Sequence, residues 1–476
     1  MKRLLIFCLA WGFWSDSAFA QGWGPIFQLS TAPNGRSLCT QQSVGIGDSS
    51  RVHVVWTDSR EFIRGVYYRR SQDGGLTWGL ETRLTDPVSI SNQAALATDR
   101  LFSLHVAWRE DRDSTDQIYY KRSTDAGQTW GPDTRLTFYR YSGKGYPALV
   151  SDQNAWVHLC WADNRLGPSL EEVFYKRSTD QGSTWTPDTA LTLPPNDIFA
   201  PSIATSGLTV HLAWDARPGG FPDSTRVFYR RSTDGGVAWD SVRQLNTSVY
   251  QANHPSIAAD DSGLVHVVWY DYRTGSYQLY YCRSTDDGVT WQPEVRLTSG
   301  YAALPSAATG PDGMVGVAYS QWYSSQRYGI AYRQSTDAGL SWGPEEWVSD
   351  TAIGYHRDVS IAIDPQGRAH AVWNDSSAAL PYWKVLYRRR EAGVGVEANP
   401  VPSPVSPLPF SVHPNPFTSF TILPGHEAER FLLYDISGRV VGTYRGDRIG
   451  EGLTPGVYFL RPEQGSLKPL RIVKLK

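Results

Sequence analysis

The chain has 476 residues, with 45 basic and 47 acidic side chains and a formal net charge of −2. Such a balance does not favour nucleic acid or an anionic membrane surface as a partner. The 19 Trp and 26 Tyr residues, beside 43 Gly and 30 Pro, are typical of many short strands joined by tight turns rather than of helices.

The first 20 residues have the pattern of a secretory signal peptide. Lys2 and Arg3 precede an apolar run over residues 4–14, and Ala18-Phe19-Ala20 fits the small-residue cleavage pattern. A membrane anchor is the weaker alternative, because the run is too short to span a bilayer. We therefore expect a mature chain that starts at Gln21, has no transmembrane segment, and is secreted to the extracellular space or the outer cell surface.

The cysteines do not predict a disulfide framework. Cys39, Cys160 and Cys282, which remain after removal of the signal peptide, are odd in number and far apart in the chain. Cys160 aligns with Val or Ala in other repeats, so we expect it to be a core residue.

An eight-residue phrase, Ser-x-Asp-x-Gly-x-x-Trp, recurs with its Trp residues 51 to 55 positions apart. Each copy follows an aromatic strand such as residues 66–70 and precedes a short strand such as residues 134–137, which predicts a hairpin turn. The copies are at 71–78, 123–130, 178–185, 232–239, 284–291 and 335–342.

Two further strands precede each of these hairpins. One ends in Trp or Tyr, as in residues 265–269, and the other is a run of small apolar residues such as 255–259. Four strands at a period near 50 are typical of a β-propeller blade. The inner strand pair occurs seven times but the turn only six times, and residues 22–30 align with 129–137. The sequence therefore predicts an all-β, seven-bladed propeller over residues 21–396, closed by its N-terminal strand.

The repeated phrase resembles the Asp-box, or BNR repeat, of sialidase-like propellers, over about the first four fifths of the chain. The resemblance implies that the boxes lie between the third and fourth strands of each blade, on the face away from the functional site. An Asp carboxylate accepts hydrogen bonds from its own turn, and one box supplies too few oxygen ligands for calcium. We therefore expect structural roles, with neither a metal site nor a cofactor, for Asp73, Asp125, Asp180, Asp234, Asp286 and Asp337.

Six histidines occupy the second position of the Trp-ending strands. Equivalent positions on different blades cannot meet at one metal, so we expect packing residues held by hydrogen bonds. They are His53, His105, His158, His211, His266 and His370.

The loops at the end opposite the Asp-boxes vary in length and should carry function. Aromatic side chains beside arginines and carboxylates suit sugars, which stack on rings while their hydroxyls form hydrogen bonds. The candidate ligand-binding residues of this face are Arg140, Tyr146, Arg165, Glu171, Glu172, Arg217, His254, Asp271, Arg273, Trp322, Tyr323, Arg357 and Asp358.

The sialidase resemblance implies an arginine triad, a Tyr activated by a Glu, and an Asp acid/base. Arg165, Arg217 and Arg273 are candidates for the triad, but the family's Arg-x-Pro signature is absent and no Tyr can be assigned as nucleophile. Catalytic residues are therefore left unassigned. Three functions stay open: a surface propeller that binds a glycan or protein, an exo-acting glycoside hydrolase of the sialidase type, and a structural or adhesive surface protein.

The C-terminal part of the sequence has a different character. Residues 397–409, "EANPVPSPVSPLP", are a stiff Pro-rich linker, and residues 410–476 contain alternating strands that predict a small immunoglobulin-like β-sandwich. The motifs "HPNPF", "LLYDISGRVV" and "LTPGVYFLR" resemble the C-terminal sorting domain of the type IX secretion system. The resemblance implies that the secretion machinery is a partner of residues 410–476, while an accessory immunoglobulin-like module is the alternative.

Overall fold

The computed structural model divides into two compact units, residues 1–394 and 395–476. In the part of the chain that is described, no helix is long and apolar enough to cross a membrane. The predicted signal peptide, the Pro-rich linker and Arg140 lie outside the described residues. The structure describes residues 22–32, 36–40, 42–48, 50–60, 63–112, 115–139, 144–167, 171–193, 197–217, 225–324, 327–349, 355–376, 383–392, 417–423, 430–435, 439–462 and 470–475.

In its described residues the first unit is built from short antiparallel strands and one 3-10 turn, Pro311–Gly313. In chain order the strands are β1 (Phe27–Gln28), β2 (Ser37–Leu38), β3 (Val44–Ile46), β4 (Val52–Asp58), β5 (Gly65–Ser71), β6 (Thr82–Arg83), β7 (Ser91–Thr98), β8 (Leu104–Glu110), β9 (Gln117–Ser123), β10 (Thr134–Arg135), β11 (Lys144–Ser151), β12 (Val157–Asp163), β13 (Glu172–Ser178), β14 (Thr189–Ala190), β15 (Ser202–Ser206), β16 (Thr209–Ala216), β17 (Arg226–Ser232), β18 (Arg243–Gln244), β19 (Ala252–Ala259), β20 (Val265–Asp271), β21 (Gln278–Ser284), β22 (Val295–Arg296), β23 (Ala302–Thr309), β24 (Val315–Ser324), β25 (Arg327–Ser335), β26 (Glu346–Trp347), β27 (His356–Ile363), β28 (Ala369–Asp375) and β29 (Lys384–Arg390).

These strands form seven sheets that follow one another along the chain. The first sheet has the order β2-β4-β5-β6, with β3 also paired to β4, and the next five run in chain order through β7–β10, β11–β14, β15–β18, β19–β22 and β23–β26. The last sheet has the order β27-β28-β29-β1, so its outer strand comes from the N-terminal segment. Phe27 pairs with Tyr387 and Gln28 with Leu386 across that junction.

Neighbouring sheets pack through their inner strands, and the ring closes where β27 contacts β3. An axial channel is lined by residues of all seven sheets. This arrangement is a β-propeller. The second strand of each sheet lies between neighbours on both sides, and for this reason β4, β12 and β28 are buried along their whole length.

Each Asp-box fixes a turn and joins two sheets. In the box of Asp286, Ser284 Oγ donates to the carboxylate at 2.7 Å and Gly288 N donates to Ser284 Oγ at 2.9 Å. The hydroxyl and backbone N–H of Thr290 donate to the same carboxylate and hold the pKa of Asp286 at about 2. The following Trp291 packs edge-on against Tyr229 of the preceding sheet, with ring centroids 4.8 Å apart. The box is therefore a hydrogen-bonded turn that contacts the preceding sheet.

The six repeated histidines are buried and make the same hydrogen bond in each sheet. Their Nδ1 atoms lie 2.6 to 2.8 Å from the hydroxyl of a Tyr on the third strand, as in His53 with Tyr68 and His266 with Tyr281. The cysteines 39, 160 and 282 are free and buried, and burial raises the pKa of each thiol.

The second unit contains one four-stranded antiparallel sheet in its described residues. Its strands are β30 (Arg430–Tyr434), β31 (Val440–Arg445), β32 (Gly456–Pro462) and β33 (Leu470–Lys474), in the order β31-β30-β32-β33. Phe417 and Thr421 form isolated bridges with Lys474 and Ile449, and Phe417 packs into the core of the unit.

Candidate functional site

The propeller axis opens into a cavity of about 170 Å³ at the end opposite the Asp-boxes. Strand register fixes this polarity. In the fifth sheet, β19 begins where Ala252 pairs with Asp271, whereas Val265 pairs with Ser284, which starts an Asp-box, at the other end. All seven sheets contribute to the cavity, which is lined by Cys39, Thr40, Gln42, Gln93, Tyr146, Pro147, Ala148, Ala200, Pro201, Ser202, His254, Leu304 and Asp358.

Five inner strands reach this cavity through the same irregularity. Their pairing with the second strand is interrupted by a register shift. Within each shift one non-glycine residue takes a left-handed conformation: Gln93 (φ 51°), Tyr146 (φ 51°), His254 (φ 48°), Leu304 (φ 53°) and Asp358 (φ 54°). A bulge redirects a side chain, and strained residues of this kind cluster at functional sites. The scaffold therefore presents five different side chains to one cavity.

A group of ionisable side chains lies beside Tyr146. Burial raises the pKa of Glu171 to about 7, assisted by the nearby carboxylate of Asp197 and opposed by Arg109. Burial also raises the pKa of Tyr146, and the charge of Glu171 adds to this effect. The backbone N–H of Ile198 donates to the Glu171 carbonyl at 3.3 Å, which holds Asp197 next to Glu171. A carboxyl group of this kind exchanges a proton near neutral pH.

His254 is positioned by a second carboxylate. Asp215 is fully buried, which raises its pKa, while the backbone N–H groups of His254 and Ala200 donate to it. The imidazole of His254 stacks on Tyr270 with centroids 5.6 Å apart. Three buried polar atoms in this region have no hydrogen-bond partner among the described residues. They are Asp215 Oδ2, Arg109 Nε and Arg217 Nε. The region around the cavity therefore keeps unused hydrogen-bonding capacity.

A family model described as the BNR repeat-like domain matches residues 117–360, just over half of the chain. The chain belongs to the BNR repeat-like family. A sialidase from Bacteroides fragilis (strain YCH46) is 26% identical over 266 residues, which are 47% of this chain and 47% of that protein. The chain thus spans about half the length of this relative. The sialidase-like prediction is confirmed at the level of the BNR fold.

Solved structures support the same fold. An ulvan lyase bound to -[GlcA(1-4)Rha3S]- has a TM-score of 0.55 and 13% identity, covering 74% of this chain and 94% of its own. Another polysaccharide lyase has a TM-score of 0.52 and 10% identity, covering 81% of this chain and 94% of its own. At these identities the likeness shows the fold alone.

The three candidate arginines of the BNR propeller do not line the cavity. Arg165 Nη1 binds Asp188 at 2.7 Å, and its guanidinium also pairs with Asp163 and lies over Phe174. Arg273 pairs in the same way with Asp271 at 2.7 Å and Glu294 at 2.6 Å. Arg217 pairs with Asp197 at 3.2 Å. Each guanidinium therefore already has a carboxylate partner in its own part of the ring.

Of the other predicted ligand-binding residues, some line the cavity and the rest lie elsewhere on the propeller. Tyr146, His254 and Asp358 line the cavity. Glu171 lies beside it, Glu172 and Asp271 are buried at strand ends, and Arg357 is exposed next to Asp358, with Nε 3.1 Å from the carboxylate. Trp322 is partly exposed on β24, which also contains Tyr323.

Sequence reasoning missed Gln93, Leu304 and Arg109. The first two share a place in the repeat with Tyr146, His254 and Asp358, two residues before a small Ser or Ala. Because the flanking residues repeat while this one changes from sheet to sheet, comparing the repeats position by position would have found the set.

Proposed function

We propose that this protein is an exported, seven-bladed BNR propeller that binds a glycan in its axial cavity. The observation that carries the proposal is the set of five bulged inner strands that present five different side chains to one space. A purely structural ring has no need of a strained residue at each of these places. Recognition of a ligand explains why the conformation repeats while the side chain varies.

The chemistry of the lining favours a carbohydrate. Tyr146 and His254 combine an apolar ring with hydrogen-bonding atoms, Gln93 and Asp358 add polar groups, and Leu304 adds an apolar contact. Sugars need this mixture, because they offer both hydroxyl groups and apolar faces. A relative named as a sialidase, and structural neighbours named as polysaccharide lyases, support a carbohydrate over a protein ligand.

Glycan-array binding by the full mature chain tests the proposal. We expect Tyr146→Asn to weaken binding about tenfold, because it removes a ring from the cavity while Asn tolerates the left-handed backbone. Phe102→Asn is the matched control, since Phe102 also has a positive φ (65°) and is 41% exposed, against 43% for Tyr146, but is not part of the cavity lining. Equal glycan binding by the two variants would contradict the proposal that the glycan binds in the axial cavity.

A glycoside hydrolase of the exo-acting, sialidase type is the second candidate. It is favoured by Glu171, whose pKa of about 7 suits a group that gives and takes a proton, with Asp197 and Tyr146 beside it. A fluorogenic sialoside assay tests it. Turnover that falls at least a hundredfold in Glu171→Gln, with ligand binding retained, would select the enzyme. Binding without turnover selects the glycan-binding protein. If neither binding nor turnover is observed, the remaining function is a structural or adhesive one.

Export through the type IX secretion system belongs to the same proposal. It is supported by the three C-terminal motifs and by the separate compact unit at residues 395–476. In this proposal the unit is an immunoglobulin-like sorting domain that the secretion machinery recognises. A reporter fused to residues 397–476 should reach the culture medium or cell surface of a competent host, and its retention in the periplasm would contradict this route.

A further inference from the structure

A continuous series of aromatic rings leads away from the cavity at His254. From Tyr270, which stacks on His254, successive ring centroids are 5.0 to 6.2 Å apart, and Tyr272 joins the series 5.0 Å from Tyr277. We name this series the aromatic belt: Tyr270, Tyr272, Tyr277, Tyr301, Trp322, Tyr328 and Tyr355.

The belt lies on the cavity end of three adjacent sheets. Tyr270 is near the end of β20, Tyr277 and Tyr301 directly precede β21 and β23, and Trp322 pairs with Tyr328 across the β24–β25 hairpin. Tyr355 forms a parallel bridge with Tyr328, which extends the belt to the sheet of β27. The belt therefore begins beside the cavity at His254 and continues from the fifth sheet to the last sheet along this end of the ring.

The repeated scaffold does not require aromatic residues at these positions. Tyr270 follows the strand-end Trp269, and the equivalent residues of the other sheets are Thr57, Arg109, Ala162, Asp215, Ser320 and Asn374. Tyr277 precedes the third strand; the equivalent residue is Arg64, Asp116, Glu171 and Thr225 in the first four sheets and Trp383 in the last. The rings are thus a local feature of one side of the propeller.

Three of the belt rings are exposed and four are half-buried, and of these four Tyr270 packs against a core cluster of the fifth and sixth sheets. Trp322 is 37% exposed and Tyr272 and Tyr355 are each 43% exposed, and the other four are outside the buried core. A contiguous exposed aromatic surface is unfavourable in water unless something covers it. The hydroxyl of Tyr277 donates to the side-chain oxygen of Gln251 at 2.6 Å.

We propose that the aromatic belt binds sugar units of an extended polysaccharide whose end or inner unit occupies the axial cavity. This inference rests on the proposed glycan-binding function and adds the class of ligand, a polymer instead of a single terminal sugar. Continuity with the cavity supports a glycan over a protein, because one chain can occupy both places. Aromatic rings stack on the apolar faces of sugars, and successive rings suit successive units.

Length dependence tests the inference. The full mature chain is run through gels that contain ulvan or polysialic acid and is also applied to an array carrying monosaccharides, short oligosaccharides and polymers. We expect affinity to rise with chain length. Trp322→Ala and Tyr272→Ala should each weaken polymer binding about tenfold and change monosaccharide binding less than twofold, while Trp322→Phe should retain most of the affinity.

Trp347→Ala is the matched control. Trp347 has the same exposed fraction as Trp322, 37%, and belongs to the same sheet, but lies on the outer strand β26. Polymer binding that survives both belt substitutions, or equal affinity for monosaccharide and polymer, overturns the inference and leaves the cavity proposal standing. If no glycan binds, both the cavity proposal and the belt inference are overturned. The same holds if the belt binds a protein ligand and the protein binds no glycan.

Discussion

Gly75 lies so close to Tyr387 that a Cβ on the glycine would overlap the tyrosine hydroxyl. Gly75 is in the first Asp-box and Tyr387 is on β29, so this contact joins the first and last sheets of the ring. The same relationship recurs between Gly127 and Tyr68 and between Gly288 and Tyr229, always from a box to the preceding sheet. The glycine of the repeated phrase is therefore an interface residue as well as a turn residue.

We predict that Gly75→Ala lowers the free energy of unfolding by about 3 kcal/mol or more. Its φ of 88° is unfavourable for Ala, and the added methyl group has no room beside Tyr387. Gly79→Ala is the control, since its nearest neighbour, the Arg70 carbonyl, is at 3.5 Å and no positive φ is needed there. Urea unfolding measures both, and similar stability of the two variants would contradict the role of the contact.

We predict that removal of residues 21–31 weakens cooperative unfolding strongly. The deletion removes β1 from β29, the edge contact between Trp23 and Tyr332 at 5.3 Å, and the buried side chain of Leu29. Leu29→Ala alone should cost about 2 to 5 kcal/mol. Ile26→Ala is the control because Ile26 is exposed. Calorimetric melting measures the effect, and an unchanged transition in the deletion variant would show that the ring does not depend on this strand.

The propeller scaffold could be predicted from the sequence because each sheet is stabilised by the same set of contacts. Strand-end Trp residues, box aspartates and buried histidines recur at fixed spacing, and each recurrence has the same structural cause. The outer strands are shorter than the pattern suggested: residues 134–137 predicted a four-residue strand, while β10 covers Thr134–Arg135. Leu136 instead packs into the core, where its side chain is buried.

The site was less accessible because its features arise from contacts between sheets. Nothing in the residue types of Gln93 or Leu304 indicates a left-handed backbone, which follows from the bulge in strand pairing. The raised pKa of Glu171 depends on its burial and on Asp197, which lies close to it only in the folded ring. Conversely, Arg165 and Arg273 fitted a carboxylate-binding pattern, but folding brings acidic partners to both.

We predict that the buried histidines reduce the stability of the protein in mild acid, at pH values above those at which the Asp-box carboxylates are protonated. Burial lowers the pKa of His53 to about 3 and that of His266 to about 4, from an ordinary value of 6.5. Below pH 6.5 the unfolded chain therefore binds protons that the folded chain does not. Each such histidine should reduce the free energy of unfolding by about 1.4 kcal/mol per pH unit down to its folded pKa.

Urea unfolding between pH 7 and 4.5 measures this slope. His53→Gln should flatten it by the contribution of one histidine, even if the variant is less stable at pH 7, because Gln binds no proton. The Asp-box carboxylates do not contribute in this window, since the pKa of Asp286 is about 2 and its ordinary value is 3.8. An identical slope in the variant would show that His53 is protonated in the folded protein.

We predict that Glu171→Gln stabilises the protein at pH 8 and has less effect at pH 5. The pKa of Glu171 is about 7 in the folded chain against an ordinary 4.5, so the folded state binds the extra proton between these values and stability falls as pH rises through them. Gln resembles the protonated form and removes the cost of a carboxylate beside Asp197. Glu294→Gln is the control, because it breaks the ion pair with Arg273 at 2.6 Å and should be destabilising. Melting temperatures at both pH values measure the difference; a gain for Glu171→Gln that is the same at pH 5 and pH 8 would come from packing and would contradict a titrating carboxyl group.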